Sequence, residues 1–169
     1  HSARETDGLV PESNTPMLQP WEVYDRDLFD LEMVRVFARS WVWLGDTEDL
    51  QSPGDFIPGR IGAQPVLVVR TAQGEIKGFL NNCRHRASGV LFEPAGNCGS
   101  TMTCPYHNWT YDLNGRLVGI PDRVRMYPDG IDLGEYGLVP IRLEVAWDKL
   151  VFGCLSHRAP SFREWIAPL

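Results

Sequence analysis

The sequence predicts a mainly β domain preceded by one helix, and three observations carry that expectation. Between Asp27 and Trp41 the apolar residues Leu28, Leu31, Val34, Phe37, Ala38 and Trp41 fall at spacings of three and four, one stripe of a helix. From Pro53-Gly54 onward the apolar runs shorten to strand length and come in pairs across turn signals. Near the C-terminal end Val139, Ile141, Leu143, Val145 and Trp147 alternate with Pro140, Arg142, Glu144 and Ala146, the period of a half-buried strand.

Residues 1–20 are polar and rich in Pro, Ser, Thr and Glu, and read as a mobile arm. The chain opens on His1-Ser2 without Met, as a processed chain would. Residues 21–50 form the expected helical lead-in, with Asp27 as its cap and Asp30 in the first turn, where the helix dipole favours an acid. The β domain is expected over 51–160. Within it Val66–Arg70 and Ile76–Leu80 flank Thr71-Ala72-Gln73-Gly74-Glu75, a hairpin pattern. Trp109–Tyr111 and Arg116–Val118 flank Asp112-Leu113-Asn114-Gly115, whose Asn-Gly is a strong turn signal. Leu150–Leu155 is the expected hairpin partner of the alternating strand. Over 161–169, Ser161 and Glu164 have capping-box spacing ahead of Trp165-Ile166, so a helix begins there. That start predicts a continuation into a further domain.

A net charge of −6 disfavours nucleic acid, which needs a basic face. No apolar run approaches the roughly 20 residues of a membrane-spanning helix, and no secretory signal pattern opens the chain. The expectation is a cytoplasmic protein without membrane or nucleic-acid partners. Four cysteines in 169 residues are too few for a disulfide-stapled domain.

The placement of those cysteines is informative. Cys83-Arg84-His85 and Cys104-Pro105-Tyr106-His107 each offer one soft thiolate and one imidazole, with eighteen residues between His85 and Cys104. Two sulfur and two nitrogen donors suit either a zinc ion or an iron–sulfur cluster. Structural zinc sites pair Cys with Cys and then His with His at wider spacing. The interleaved order here fits a Rieske-type [2Fe–2S] cluster better, in which one iron takes both Cys and the other both His. Neutral imidazoles in place of two thiolates remove negative charge. Adding an electron then costs less, and the potential rises into the window of roughly −150 to +300 mV instead of about −400 mV.

Cys83-Arg84-His85-Arg86 followed by Cys104-Pro105-Tyr106-His107-Asn108-Trp109 resembles the Rieske motif of aromatic-ring-hydroxylating oxygenase large (α) subunits. Phe37-Ala38-Arg39-Ser40-Trp41 and Pro53-Gly54-Asp55-Phe56 resemble that family's lead-in. Tyr111–Gly115 and Leu117-Val118-Gly119-Ile120-Pro121 resemble its sequel. The likeness covers about residues 20–169. It implies a Rieske antiparallel β fold and Cys83, His85, Cys104 and His107 as the cluster ligands. Beside these ligands, Arg84 and Arg86 are placed either to pair with a carboxylate on a partner domain or to stay solvated. Trp109 and Tyr106 are expected to pack over the cluster and keep water off it, with ordinary core packing the alternative. Asn108 stands where the family usually has Gly, and Asn also tolerates the left-handed backbone. The long spacer is accommodated at the Gly96–Ser100 turn.

The resemblance also implies partners. Electrons would come from a ferredoxin or flavin reductase and leave for a mononuclear Fe(II) in the catalytic domain of the same or a neighbouring α subunit, within a trimer. That iron needs two His and one carboxylate. Beyond the cluster ligands only His1 and His157 remain, so no catalytic residue is expected in this chain. Cys98 is expected to be a bystander, Cys154 a small core residue in its strand, and His157 a surface-loop residue. Cytochrome-complex Rieske proteins are similar too, but Ser88 and Tyr106 replace their extra cysteine pair, and Trp109 replaces a hydroxyl-bearing residue. Fewer hydrogen bonds to sulfur predict a potential at the low end of the window. Reduction is expected to carry proton uptake at the imidazole nitrogens that do not bind iron. A free-standing Rieske ferredoxin is the alternative, disfavoured by the Asp27–Trp41 helix, and a structural zinc module is a third.

Overall fold

The computed structural model of the chain describes residues 24–167, so the arm expected over 1–20 lies outside the described residues. The elements run α1 (Arg26–Arg35), β1 (Val42–Asp46), β2 (Asp55–Ile61), β3 (Gln64–Arg70), β4 (Ile76–Leu80), β5 (Gly96–Asn97), β6 (Thr101–Thr103), β7 (Thr110–Asp112) and β8 (Leu117–Gly119). Then follow α2 (Arg123–Met126), β9 (Arg142–Ala146), β10 (Leu150–Cys154) and α3 (Phe162–Ile166). The strands form three antiparallel sheets, ordered β1-β10-β9, β4-β3-β2-β5 and β6-β7-β8. A mainly β fold with a leading helix is what the sequence predicts.

Strand β3 sits at the centre. Val66, Leu67, Val68 and Val69 are all fully buried, and they divide by parity between two cores. Val66 and Val68 pack with Leu44, Leu50, Ile61 and Val151 toward the β1-β10-β9 sheet. Leu67 and Val69 pack with Phe56, Phe79, Met102, Trp109, Tyr111 and both Cys83 and Cys104 on the other side. Burial on both faces explains why this run is continuously apolar rather than alternating. Gly153 lets β10 approach the central sheet: a Cβ there would lie 2.6 Å from Leu44 Cδ1 and 3.0 Å from Ile61 Cδ1.

The predicted hairpins form. β3 and β4 pair from Val66↔Leu80 to Arg70↔Ile76, and β9 pairs with β10. β7 and β8 join through Asp112–Gly115, where Asp112 Oδ1 accepts from the backbone N–H groups of Asn114 and Arg116. Ser161 and Glu164 complete the capping box of α3.

Several expectations are corrected. The cap of α1 is Asp25, whose carboxylate accepts from the N–H groups of Asp27 and Leu28; Asp27 is the first-turn acid. The apolar stripe of α1 finds no core, because Leu31, Val34 and Phe37 remain exposed and no helix residue is buried. Periodicity marks an apolar face without supplying a partner for it. The helical lead-in ends near Arg39, and residues 42–46 are strand β1, paired with β10 through a bulge between Trp43 and Gly45. The alternating segment is also shorter than predicted. Val139 and Ile141 line the edge of β4 through backbone bonds to Leu80 and Gly78. Trp147 lies in the β9–β10 turn. Part of the Gly96–Ser100 segment is strand β5, paired with Asp55 and Phe56.

Trp147 and Asp148 both have left-handed backbones (φ 53° and 55°), as the central residues of a type I′ turn do. Trp is ill suited to that conformation, and Asp tolerates it less well than Gly. Asp148→Gly should raise stability by about 0.5–1 kcal/mol, read as a higher urea midpoint at unchanged slope.

Candidate functional site

Two loops carry the sequence-predicted donors. The first leaves β4 and holds Cys83 and His85; the second joins β6 to β7 and holds Cys104 and His107. Both are closed by the same pair of backbone bonds. The Cys83 N–H donates to Ser88 O (2.7 Å) and the Ala87 N–H to Cys83 O (2.8 Å). The Cys104 N–H donates to Trp109 O (2.9 Å) and the Asn108 N–H to Cys104 O (2.9 Å). In each loop the fourth residue after the Cys is left-handed, Ala87 at φ 57° and Asn108 at φ 56°. The tolerance expected of Asn108 is thus used, whereas the same demand on Ala87 has no signal in its residue type. Asn81 ties down the first loop: its Oδ1 accepts from Val90 and Leu91 N–H, and its Nδ2 donates to Leu91 O.

The four donors arrive as two unlike pairs. Cys83 and Cys104 are buried, inside the core under β3. His85 and His107 are half-buried at the surface and turn their Nδ1 atoms toward each other, 3.1 Å apart, with rings edge-on. Among the described residues no three His, Cys, Asp or Glu side chains gather around one ion position. A thiol pair inside and an imidazole pair outside fit a two-iron cluster better than a single zinc ion.

Burial raises the Cys83 thiol above its ordinary range, against the Tyr111 hydroxyl that favours the thiolate. Burial, His107 and the Arg86 guanidinium together lower His85, which keeps its imidazole neutral with a free lone pair.

Trp109 is buried and stacks on His85 at 4.9 Å, shutting water out from that side. Tyr106 tilts over His107 at 4.0 Å but is 61% exposed, so it flanks the site instead of sealing it. The side chains of Arg84 and Arg86 are exposed. Cys154 is buried beside Trp41, Ala146 and Phe162, Cys98 donates to Gly54 O at 3.2 Å, and His157 is exposed; none joins the site.

Sequence reasoning missed Tyr111. It is fully buried in β7; its Oη lies 3.2 Å from Cys83 Sγ and accepts from the Arg84 N–H at 3.0 Å. One sulfur therefore does have a hydroxyl partner, and burial together with the Cys83 contact pushes the phenol's pKa upward, keeping it a donor at neutral pH. Its place four residues after His107, on the inward face of β7, was the available signal. Beside the two histidines Asn108, Trp109, Ile120, Pro121, Asp122, Met126 and Tyr127 line a cleft of about 230 Å³.

A family model described as "Rieske [2Fe-2S] domain" matches residues 40–136. The α subunit of chlorobenzene dioxygenase from Cupriavidus sp. (strain PS12) is 38% identical over 166 residues, 98% of this chain and 36% of that protein. The glycine betaine monooxygenase oxygenase subunit of Pseudomonas aeruginosa is 37% identical over 145 residues, 86% of this chain and 33% of that protein. The crystal structure of naphthalene 1,2-dioxygenase from Rhodococcus sp. superposes with a TM-score of 0.77 at 35% identity, over 83% of this chain and 32% of that one. This chain spans about a third of the length of these relatives.

The loop backbones make opposite demands testable. Ala87→Gly removes a Cβ from a left-handed residue and should stabilise by about 1 kcal/mol. Asn108→Val puts a β-branched side chain in the same conformation and should cost roughly 2 kcal/mol. Urea midpoints of the two variants against the parent check both signs.

Proposed function

This chain belongs to the Rieske [2Fe–2S] domain family, and from that premise we propose that it is the electron-delivering domain of an aromatic-ring-hydroxylating oxygenase large subunit. The observation that carries this reading is the pairing of donors, two buried thiols against two surface imidazoles facing through Nδ1 at 3.1 Å. The oxygenase assignment is supported by relatives aligned through the leading helix and the β domain alike, which bear oxygenase names and are not free-standing carriers.

In this reading Cys83 and Cys104 bind as thiolates from the core side, and His85 and His107 bind through Nδ1. A [2Fe–2S] cluster held there supplies reversible one-electron transfer. The protein does the rest. The twin loops hold the four donors in place, Trp109 keeps water from the His85 side, and the Tyr111 hydroxyl donates to Cys83 Sγ. With Nδ1 committed, Nε2 of each histidine is left to hold a proton at the cleft, which makes the site sensitive to pH.

The electron source is a ferredoxin or flavin reductase, reaching the imidazole edge. The destination is a mononuclear Fe(II) held by two His and a carboxylate in the catalytic domain of the same or a neighbouring α subunit of a trimer. The names of the chlorobenzene, biphenyl and naphthalene relatives favour an aromatic ring as substrate. No helix among the described residues is long and apolar enough to cross a membrane, which is compatible with a cytoplasmic setting.

The purified protein should contain two iron and two sulfide per chain, with visible absorption and a reduced-state EPR signal. Cys83→Ser or His107→Ala should abolish both signals; their survival in either variant would sink the assignment. The midpoint potential should fall at the low end of the window of roughly −150 to +300 mV, and one clearly above zero would count against the oxygenase class. Tyr111→Phe removes a donor to sulfur and should lower the midpoint by roughly 50 mV, the one-electron equivalent of about 1 kcal/mol, with cluster content unchanged.

A further inference from the structure

Trp109 is held between two rings. It stacks on His85 with centroids 4.9 Å apart and planes at 16°, and it meets Tyr136 at 5.7 Å with planes at 81°. These two are its ring neighbours among the described residues. Trp109 is buried and Tyr136 half-buried, so Tyr136 is the outer member of the pair. The two residues lie 27 positions apart, and a separate part of the chain brings Tyr136 in.

That part is the excursion over 120–137. It leaves the β7–β8 hairpin after Gly119 and returns to it at Leu138, whose N–H donates to Gly115 O at 2.7 Å. The return is tight, since a Cβ on Gly137 would lie 3.2 Å from Gly115 O. Among the described residues the backbone hydrogen bonds of this excursion close within it. Met126 donates to Asp122, Tyr127 to Arg123, Gly130 to Tyr127 and Glu135 to Asp132. Between its two ends, apolar packing joins it to the body. Ile120, Tyr127, Ile131, Leu133 and Tyr136 rest on the core that holds Trp109, Cys83 and Cys104. Tyr136 ends a 3₁₀ turn, Leu133–Tyr136, whose cap Asp132 accepts from the Gly134 N–H. The capped turn before it and the closed neck after it set where the ring goes.

We propose that Tyr136 is a positioning residue of the site: it pins Trp109 flat against His85, and so keeps water from that imidazole and lowers the site's affinity for an electron. This rests on the reading of the site as a [2Fe–2S] centre. Near-perpendicular rings attract, because the positive edge of one meets the negative face of the other. An indole packed against His85 alone lacks that second restraint and can tilt away. Reduction adds one negative charge, and a charge costs more where water is kept off. The apolar shell around a metal site sets solvent access and through it the potential. Tyr136 thereby favours the oxidised state and helps to hold the potential at the low end of the Rieske window. Its effect passes through Trp109.

The test uses the cluster-loaded protein, with iron and sulfide content measured first. Tyr136→Ala should keep both and raise the midpoint. Poised at the parent's midpoint, its reduced-to-oxidised ratio should rise about threefold or more. Deuterium modulation of the reduced-state pulsed EPR signal in heavy water should grow, because water gains the His85 side. Tyr136→Phe keeps the ring and should match the parent in both measurements. Trp109→Leu should reproduce both changes, and adding Tyr136→Ala to it should change the ratio little further, as expected when one residue acts through the other. If Tyr136→Ala does not load, Tyr136→Leu, which fills the space without a ring, is read in the same way. A ringless variant with the parent's ratio and modulation overturns the proposal. So does Tyr136→Phe shifting as far as Tyr136→Ala, since the hydroxyl would then carry the effect. A Tyr136→Ala effect that persists in full beside Trp109→Leu, or a Trp109→Leu change of opposite sign, overturns it too. A parent protein that takes up no iron and sulfide instead defeats the reading of the site, and the proposal with it.

Discussion

The structure depends on one repeated constraint, the backbone closure of two short loops. Each loop folds back on its own cysteine, through one bond from the Cys N–H and one to the Cys C=O, and each needs a left-handed residue at the same place. Without that closure the thiols would not share a core, and the imidazoles would not meet edge to edge. The closures also explain why the loops leave from strand ends. β4 and β6 fix their starting points, and β3, buried on both faces, ties β4 to the rest of the fold. A site built from two loops of different length, with the His two residues after one Cys and three after the other, comes out nearly symmetric because the backbone pattern repeats where the side-chain spacing does not.

Much of this was legible in the residues. The donors, their interleaved order and the hairpins around them follow from soft-ligand chemistry and turn signals, both of which act over a few residues. Long-range features were harder to read. The stripe of α1 was visible, yet it lies open, since a period tells which side is apolar and not what meets it. β1 escaped notice because its bulge at Trp43–Gly45 breaks the alternation on which a strand is recognised. Tyr111 escaped because its contact with Cys83 spans 28 positions, and its place four residues after His107 is a weak local signal for it. The left-handed turn at Ala87 shows a further limit. Closure overrides residue preference there, and the fold carries a strain of order 1 kcal/mol to keep the first loop shaped like the second.

In the proposed reading, the asymmetry of burial gives the site an inner and an outer side. Sulfur lies inward among Met102, Trp109 and Tyr111, while nitrogen lies outward at a cleft. A charge on a cluster held there would be felt in two media. On the inner side the low dielectric makes each oriented dipole count, and on the outer side water and mobile protons can answer it. Arg86, which after burial and His107 helps lower His85, adds a positive charge to the outer side that in the proposed reading would favour an added electron.

Tyr111 connects these properties. Its single hydroxyl is shared between Cys83 Sγ and the Arg84 N–H, so it touches both an electron-rich sulfur and the backbone that aims His85. The two bonds reinforce each other, because an oxygen that accepts from the Arg84 N–H is a better donor to sulfur. A shift of the first loop that lengthens the Arg84 bond would therefore weaken the bond to sulfur as well, and the geometry of the loop and the environment of Cys83 are linked through one phenol.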